Sequence, residues 1–146
     1  MNSEHLILQI ITPDGQSLKV KQVDVVVVRR REKHFELGSE IALFPRHAPM
    51  LIRMPDAPLR YRKGERTMYV AVNGGFMEIK DDQIVVVTPR FETMRADDPL
   101  PAASARRRTE QWRKRAPGIS EGDGRISLTI LIAVAFLHFL LSLKVV

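Results

Sequence analysis

Short apolar runs recur along the first two thirds of the chain, each closed by turn-forming residues rather than continued at a helical period. Leu6-Ile7-Leu8-Gln9-Ile10-Ile11 is apolar and partly β-branched, and it stops at Thr12-Pro13-Asp14-Gly15, a strong turn signal. Val23–Val28 is interrupted only by Asp24 and ends in Arg29-Arg30-Arg31. Tyr69-Val70-Ala71-Val72 stops at Asn73-Gly74-Gly75, where the glycines allow positive φ. Phe76-Met77-Glu78-Ile79 and Ile84-Val85-Val86-Val87-Thr88 flank Lys80-Asp81-Asp82-Gln83, which predicts a hairpin turn. Strands of this length and spacing, with no helical period among them, predict a mainly β chain whose residues 1–93 form an antiparallel β-sandwich or barrel.

The pattern then changes. Two prolines and two acids between Arg95 and Ala103 predict an irregular linker over 94–101. Residues 102–116 hold no Pro or Gly and are rich in good helix formers, which predicts a short basic helix. Its apolar content is Trp112 and scattered alanines, so its helicity in isolation is expected to be marginal. Pro117-Gly118 and Ser120-Glu121-Gly122-Asp123-Gly124 predict a hinge over 117–125. The remaining stretch, 126–144, reads as an apolar helix: Ile126 to Leu143 is 18 residues without Asp, Glu, Lys or Arg. At about 1.5 Å per residue it reaches roughly 27 Å, close to the ~30 Å of a bilayer's hydrocarbon core. It is therefore expected to be a transmembrane tail with its N-terminal side in the cytoplasm, and a helix packed along a partner is the alternative.

Charge sharpens the picture in one place. Of a formal net charge of +6, nearly all comes from Arg106, Arg107, Arg108, Arg113, Lys114 and Arg115, set against Glu110 alone. Such a run reads first as a solvated face, then as a contact for an acidic protein surface or as a cytoplasmic flank of a membrane span. Nucleic-acid binding is not expected, because the basic charge is not spread over the domain and one aromatic makes no stacking platform. With no cysteine there is no disulfide framework and no thiolate metal site. His5, His34, His47 and His138 are scattered, and no nucleophile elbow, phosphate-binding loop or dinucleotide fingerprint occurs. Asp81-Asp82 reads as a turn rather than a carboxylate pair, and His47 as a loop histidine bonded to backbone. No catalytic residue, cofactor or metal site is therefore expected in the chain itself.

From Leu6 to Phe91 the order of segments resembles the N-terminal domain of the ATP synthase epsilon subunit family. The carriers are Ile10-Ile11-Thr12-Pro13-Asp14, Val23-Asp24-Val25-Val26-Val27, and above all Glu40-Ile41-Ala42-Leu43-Phe44-Pro45-Arg46-His47-Ala48-Pro49-Met50-Leu51. Leu59-Arg60-Tyr61-Arg62 and Ala71-Val72-Asn73-Gly74-Gly75-Phe76-Met77-Glu78-Ile79 follow at similar spacing.

The resemblance implies a sandwich of two antiparallel sheets that binds the gamma subunit and rests on the membrane rotor ring of c subunits, transmitting rotation without chemistry. It assigns Glu40 to the family's acidic loop residue facing the ring, with Arg46, His47, Ala48 and Pro49 completing that interface. Gly74 and Gly75 match its turn glycines. Ala42 and Arg46 stand where the family has glycine, so the backbone is expected to avoid positive φ there. The arginines Arg106, Arg107, Arg108, Arg113 and Arg115 are candidates for a contact with the beta subunit. The implied function is a central-stalk coupling subunit at the cytoplasmic face of the plasma membrane, with regulation of ATP hydrolysis as a further expectation. The competing reading is a tail-anchored β-sandwich binding module at a membrane.

Overall fold

The computed structural model describes residues 4–32 and 38–115. The expected hinge 117–125 and apolar helix 126–144 lie outside the described residues. Among the described residues no helix is long and apolar enough to cross a membrane. The elements are β1 (Leu6–Ile11), β2 (Ser17–Val23), β3 (Val25–Arg29), β4 (Glu40–Leu43), β5 (Met50–Lys63), β6 (Arg66–Lys80), β7 (Gln83–Val87), β8 (Phe91–Thr93) and α1 (Pro101–Arg115).

A long hairpin, bent across its middle, organises the strands. β5 and β6 pair from Met50↔Ile79 to Lys63↔Arg66 around Gly64-Glu65, with Gly64 at φ 63°. Glycine with positive φ at the first of two loop residues is the usual solution for so tight a turn. Between Met54↔Gly75 and Asp56↔Asn73 the pairing skips Pro55 and Gly74. Pro55 has no N–H to give, and Gly74 and Gly75 take φ of 64° and 109°. On one side of this bend β6 pairs with β8, through Val70, Ala71 and Val72; on the other it pairs with β7, from Phe76 to Lys80. The glycines thus form a corner inside one continuous strand, not the strand end that their turn character suggested. A Cβ on Gly75 would sit 2.0 Å from the carbonyl oxygen of Val87, so β7 approaches closely only because that atom is missing.

The sheet runs β2-β1-β7-β6-β5-β3-β4, with β8 on β6, and folds over to enclose its core. Every described pairing is antiparallel except β1 with β7, which run parallel from Ile7↔Gln83 to Ile11↔Val87. β7 suits that central place because Ile84, Val85, Val86 and Val87 are all buried, as parallel strands covered on both faces require. Alternate residues of β1 (Leu6, Leu8, Ile10) and β3 (Val26, Val28) enter the core beside Leu59, Val70, Val72, Met77 and Ile79. The apolar run Val23–Val28 divides at Asp24, whose carboxylate accepts the Gly64 N–H at 2.8 Å and ties two corners together. The β6–β7 turn at Asp81-Asp82 forms as expected, with both residues at positive φ (50° and 61°).

α1 begins at Pro101, inside the expected linker. Proline is tolerated at the first helical position, where its missing N–H would have no helical partner. The Leu100 carbonyl accepts the Ser104 N–H at 3.0 Å, and Asp98 accepts the Leu100 N–H at 2.8 Å. Spacing then decides how the helix packs. Ala105, Thr109 and Trp112 fall at i, i+4 and i+7 and all three are buried, with Ala105 and Trp112 packed against Ala71, Met94 and Tyr69 of the sandwich. The stripe is narrow, but docking it supplies the helical stability that the segment's composition withholds.

Candidate functional site

The expected interface residues fall into two groups. Glu40 is the first residue of β4, not a loop residue, because the β3–β4 hairpin continues through Arg30 N–H to Ser39 O at 3.0 Å. Arg46, His47, Ala48 and Pro49 lie beyond the other end of that four-residue strand. At about 3.3 Å per residue, Glu40 stands roughly 13 Å from the start of their loop, so the two groups share an edge strand rather than a pocket.

Glu40 is also engaged within the chain. Its Oε1 accepts Arg60 Nη1 at 2.8 Å, its Oε2 accepts Arg60 Nη2 at 3.3 Å, and Arg29 Nη2 lies 3.7 Å from Oε1. The Arg60 hydrogen bonds hold its carboxyl below the usual carboxylate range, and burial opposes them. At pH 7 the group is an anion shared between two guanidiniums, and 43% of its side chain still faces outward.

The β4–β5 loop is held by a neighbouring turn. Arg46 adopts φ 66°, contrary to the expectation that a residue replacing glycine avoids the left-handed region. That conformation costs a non-glycine residue about 1–2 kcal/mol. The offset is visible: the Arg46 N–H donates to the Asp82 carboxylate at 2.5 Å, a charge-assisted bond to the β6–β7 turn. Ala42, in contrast, sits in β4 at ordinary φ. His47 donates from Nδ1 to the Ala48 carbonyl at 2.7 Å, as a loop histidine bonded to backbone would. Phe44 is 55% exposed on the same loop, and Leu51, one residue into β5, is 52% exposed. Two large apolar side chains are thus turned to solvent, one on the pinned loop and one at the start of the strand that follows it. The hydrophobic pattern contains both, yet gives no reason to place them outside the core.

The basic helix divides in a way its sequence does not show. Arg106 and Arg107 are exposed. Arg108 turns back to the sandwich, with Nε 2.9 Å from Glu92 Oε2, and Arg113 reaches the Asp56 backbone carbonyl at 3.5 Å. The side chain of Arg115 lies outside the described set. Arg90 lies over the Trp112 ring, 4.2 Å from its centroid, and covers the helix's main anchor. Asp56, at the bend of β5, accepts the Asn73 amide at 2.8 Å; burial raises its pKa despite that bond and the nearby charges of Arg113, Arg31 and Arg90.

Comparison with known proteins gives a consistent result. The family model described as "ATP synthase, Delta/Epsilon chain, beta-sandwich domain" matches residues 5–94. The chain is 33% identical over 109 residues to the ATP synthase epsilon chain of Syntrophobacter fumaroxidans, covering 75% of this chain and 76% of that one. It is 33% identical over 103 residues to the ATP synthase epsilon chain of Alkalihalophilus pseudofirmus, covering 70% and 72%. Among solved structures, a chain of the Tetrahymena thermophila mitochondrial ATP synthase central stalk and c-ring superposes with a TM-score of 0.52 at 15% identity, covering 80% of this chain and 98% of that one. A chain from the OSCP/F1/c-ring structure of the Euglena gracilis mitochondrial ATP synthase gives a TM-score of 0.56 at 17% identity, covering 92% and 78%. These two share the fold.

Proposed function

The chain belongs to the ATP synthase delta/epsilon chain family, and we propose that it works as the non-catalytic central-stalk subunit that couples gamma to the membrane ring of an F-type ATP synthase. The observation that carries this reading is the β4–β5 loop. It is pinned by the Arg46–Asp82 bond, it displays Phe44, Ala48 and Pro49, and it lies in the stretch with the family's segment order. A coupling subunit needs a rigid domain that transmits torque through its surface, and this loop is fixed to the sandwich at both ends and across its middle. Glu40 then serves as a shared anion at the far end of β4, offering its outward face to the ring while Arg60 and Arg29 fix its position.

In this reading Arg106 and Arg107, exposed on α1, meet an acidic surface of the beta subunit, while Arg108 and Arg113 serve the chain's own packing. Membrane association follows from the complex. The apolar residues 126–144 add a direct anchor in this reading.

The test is assembly. The tagged full chain, expressed with its complex, is expected to bring down gamma and ring subunits. Phe44→Asp, on the exposed loop, is expected to weaken recovery of the ring without unfolding the domain. A full chain that folds but recovers neither subunit would sink the reading in favour of a membrane-held binding module. A soluble reporter fused to residues 117–146 tests the anchor separately, and its recovery in the carbonate-soluble fraction rules the anchor out.

A further inference from the structure

Three neighbouring residues hold left-handed backbone without being glycine: Arg46 at φ 66° in the β4–β5 loop, and Asp81 and Asp82 at φ 50° and 61° in the β6–β7 turn. For the two aspartates the conformation is explained by their place. A tight two-residue hairpin turn requires it, and a short polar side chain tolerates it. Arg46 has neither advantage. What it has is Asp82, whose carboxylate accepts the Arg46 N–H at 2.5 Å. The Arg46 guanidinium makes no ion pair or hydrogen bond among the described residues, so its side chain does not fix it. The other polar contact of the loop, His47 Nδ1 to the Ala48 carbonyl, is local. Among the described residues the Arg46–Asp82 bond is therefore what ties the interior of loop 44–49 to a second element. Asp82 is itself anchored: its carbonyl accepts the Ile7 N–H at 2.9 Å, and Lys80 pairs with Gln83 around it. One residue thus holds β1 with its backbone and the loop with its side chain.

We propose that Asp82 is a positioning residue for the coupling loop: its carboxylate compensates the left-handed backbone at Arg46 and so keeps Phe44, Ala48 and Pro49 presented in one arrangement. This role rests on the coupling reading for what the loop does, and on the Arg46–Asp82 bond for how it is held. A non-glycine residue stays in the left-handed region only where its surroundings over-determine it. Without the acceptor, Arg46 is free to relax to negative φ, a rotation of about 120° in the middle of a short loop. Its neighbour cannot absorb that change, because the ring of Pro45 fixes its own φ, and Pro49 is fixed in the same way at the loop's far end. The rotation therefore redirects the exposed side chains on either side. A turn aspartate that served only the β6–β7 hairpin would act on stability and leave the loop where it is.

The experiment separates the bond from the turn with three substitutions. Asp82→Gly removes the acceptor yet accepts φ 61°, and glycine suits such a turn, so the fold is expected to survive. Asp82→Asn keeps both an acceptor and tolerance of the conformation. Arg46→Gly removes the need for compensation. In the full chain, hydrogen exchange at the Arg46 amide is expected to speed up about tenfold in Asp82→Gly and to stay near the parent's rate in Asp82→Asn. In inverted membrane vesicles carrying the whole complex, Asp82→Gly is expected to lose ion pumping per ATP hydrolysed while hydrolysis continues. Asp82→Asn should keep most of that pumping, and Asp82→Gly/Arg46→Gly should recover it. That recovery is the readout a merely structural Asp82 would not give, because a second glycine mends no defect in the turn. Unchanged exchange at Arg46 in Asp82→Gly overturns the proposal. So does undiminished pumping in Asp82→Gly, or pumping that Arg46→Gly fails to restore. A parent chain that recovers neither gamma nor ring subunits sinks the coupling reading instead, and the exchange rates still decide whether Asp82 holds the loop.

Discussion

Arg60 on β5 grips Glu40 on β4 with both terminal nitrogens, at 2.8 Å and 3.3 Å, by reaching over the intervening strand β3. The clasp joins three strands on one face, and the residue that resemblance assigns to the ring is also part of the domain's own edge. Substitution there must be read for stability as well as for coupling.

For Glu40 the sign with pH follows from its depressed pKa. A carboxyl whose folded pKa lies below its unfolded value adds stability that is present above the unfolded value and lost as pH falls through the folded one. Urea midpoints of the parent chain should therefore drop below the ordinary carboxylate range, and Glu40→Gln should flatten part of that drop. At neutral pH the Gln variant should lose no more than about 1 kcal/mol, as exposed ion pairs do. Glu40→Lys should lose more, since it sets a third cation beside Arg29 and Arg60. Equal losses in the two variants would show that the clasp is energetically silent.

Asp56 has the reverse sign. Burial raises its pKa, so the folded protein holds that proton more tightly than the unfolded chain does, and stability falls as pH climbs from the unfolded value to the raised folded one. Asp56→Asn keeps a partner for Asn73 and removes that decline. The gap between its urea midpoint and the parent's should move in the variant's favour as pH rises through this window. A constant gap would contradict a half-buried charge.

Trp112→Ala should release α1 while leaving the sandwich. Truncating a buried tryptophan costs about 3–5 kcal/mol, more than a lone 15-residue helix can supply. Helical circular dichroism should fall while the strand signal persists, and Trp112→Phe should restore much of it. Loss of both signals together would mean that the helix is integral to the sandwich's folding. Arg90→Ala, lifting the cation from the ring, should shift Trp112 emission with a smaller loss of helix.

Gly75→Ala should destabilise far more than Gly74→Ala. A Cβ at position 75 meets the Val87 carbonyl oxygen at 2.0 Å; one at position 74 meets Asp56 Oδ1 at 3.2 Å. We expect a loss above about 2 kcal/mol at the first and about 1–2 kcal/mol at the second, both including the cost of positive φ. Arg46→Gly relieves the same strain but loosens the unfolded chain by about 0.5–1 kcal/mol, so its stability should be unchanged or slightly higher. Chemical denaturation of the three variants checks the ranking.

Periodicity alone located β1, β7 and both halves of β6, and the turn at Asp81-Asp82, because these depend on residues adjacent in the chain. Segment order carried the family. β2 went unmarked, since Leu18 and Val20 alternate with Lys19 and Lys21 on a strand too polar to stand out. What lay beyond the sequence were relations between distant residues. A glycine pair reads as a turn until Val87 and Pro55 are set beside it and it becomes a corner. A glycine-like position accepts Arg46 because Asp82, 36 residues away, receives its N–H. In the sequence the helix showed only Trp112 and scattered alanines; that Ala105 and Trp112 form a docking stripe is apparent only once Ala71 and Met94 face them. Local propensity and hydrophobic alternation are written into neighbouring residues and can be read there. The sharing of Glu40 between Arg60 and Arg29 and the tolerance of strain at Arg46 depend on which strands the fold brings together, and only the tertiary structure decided that.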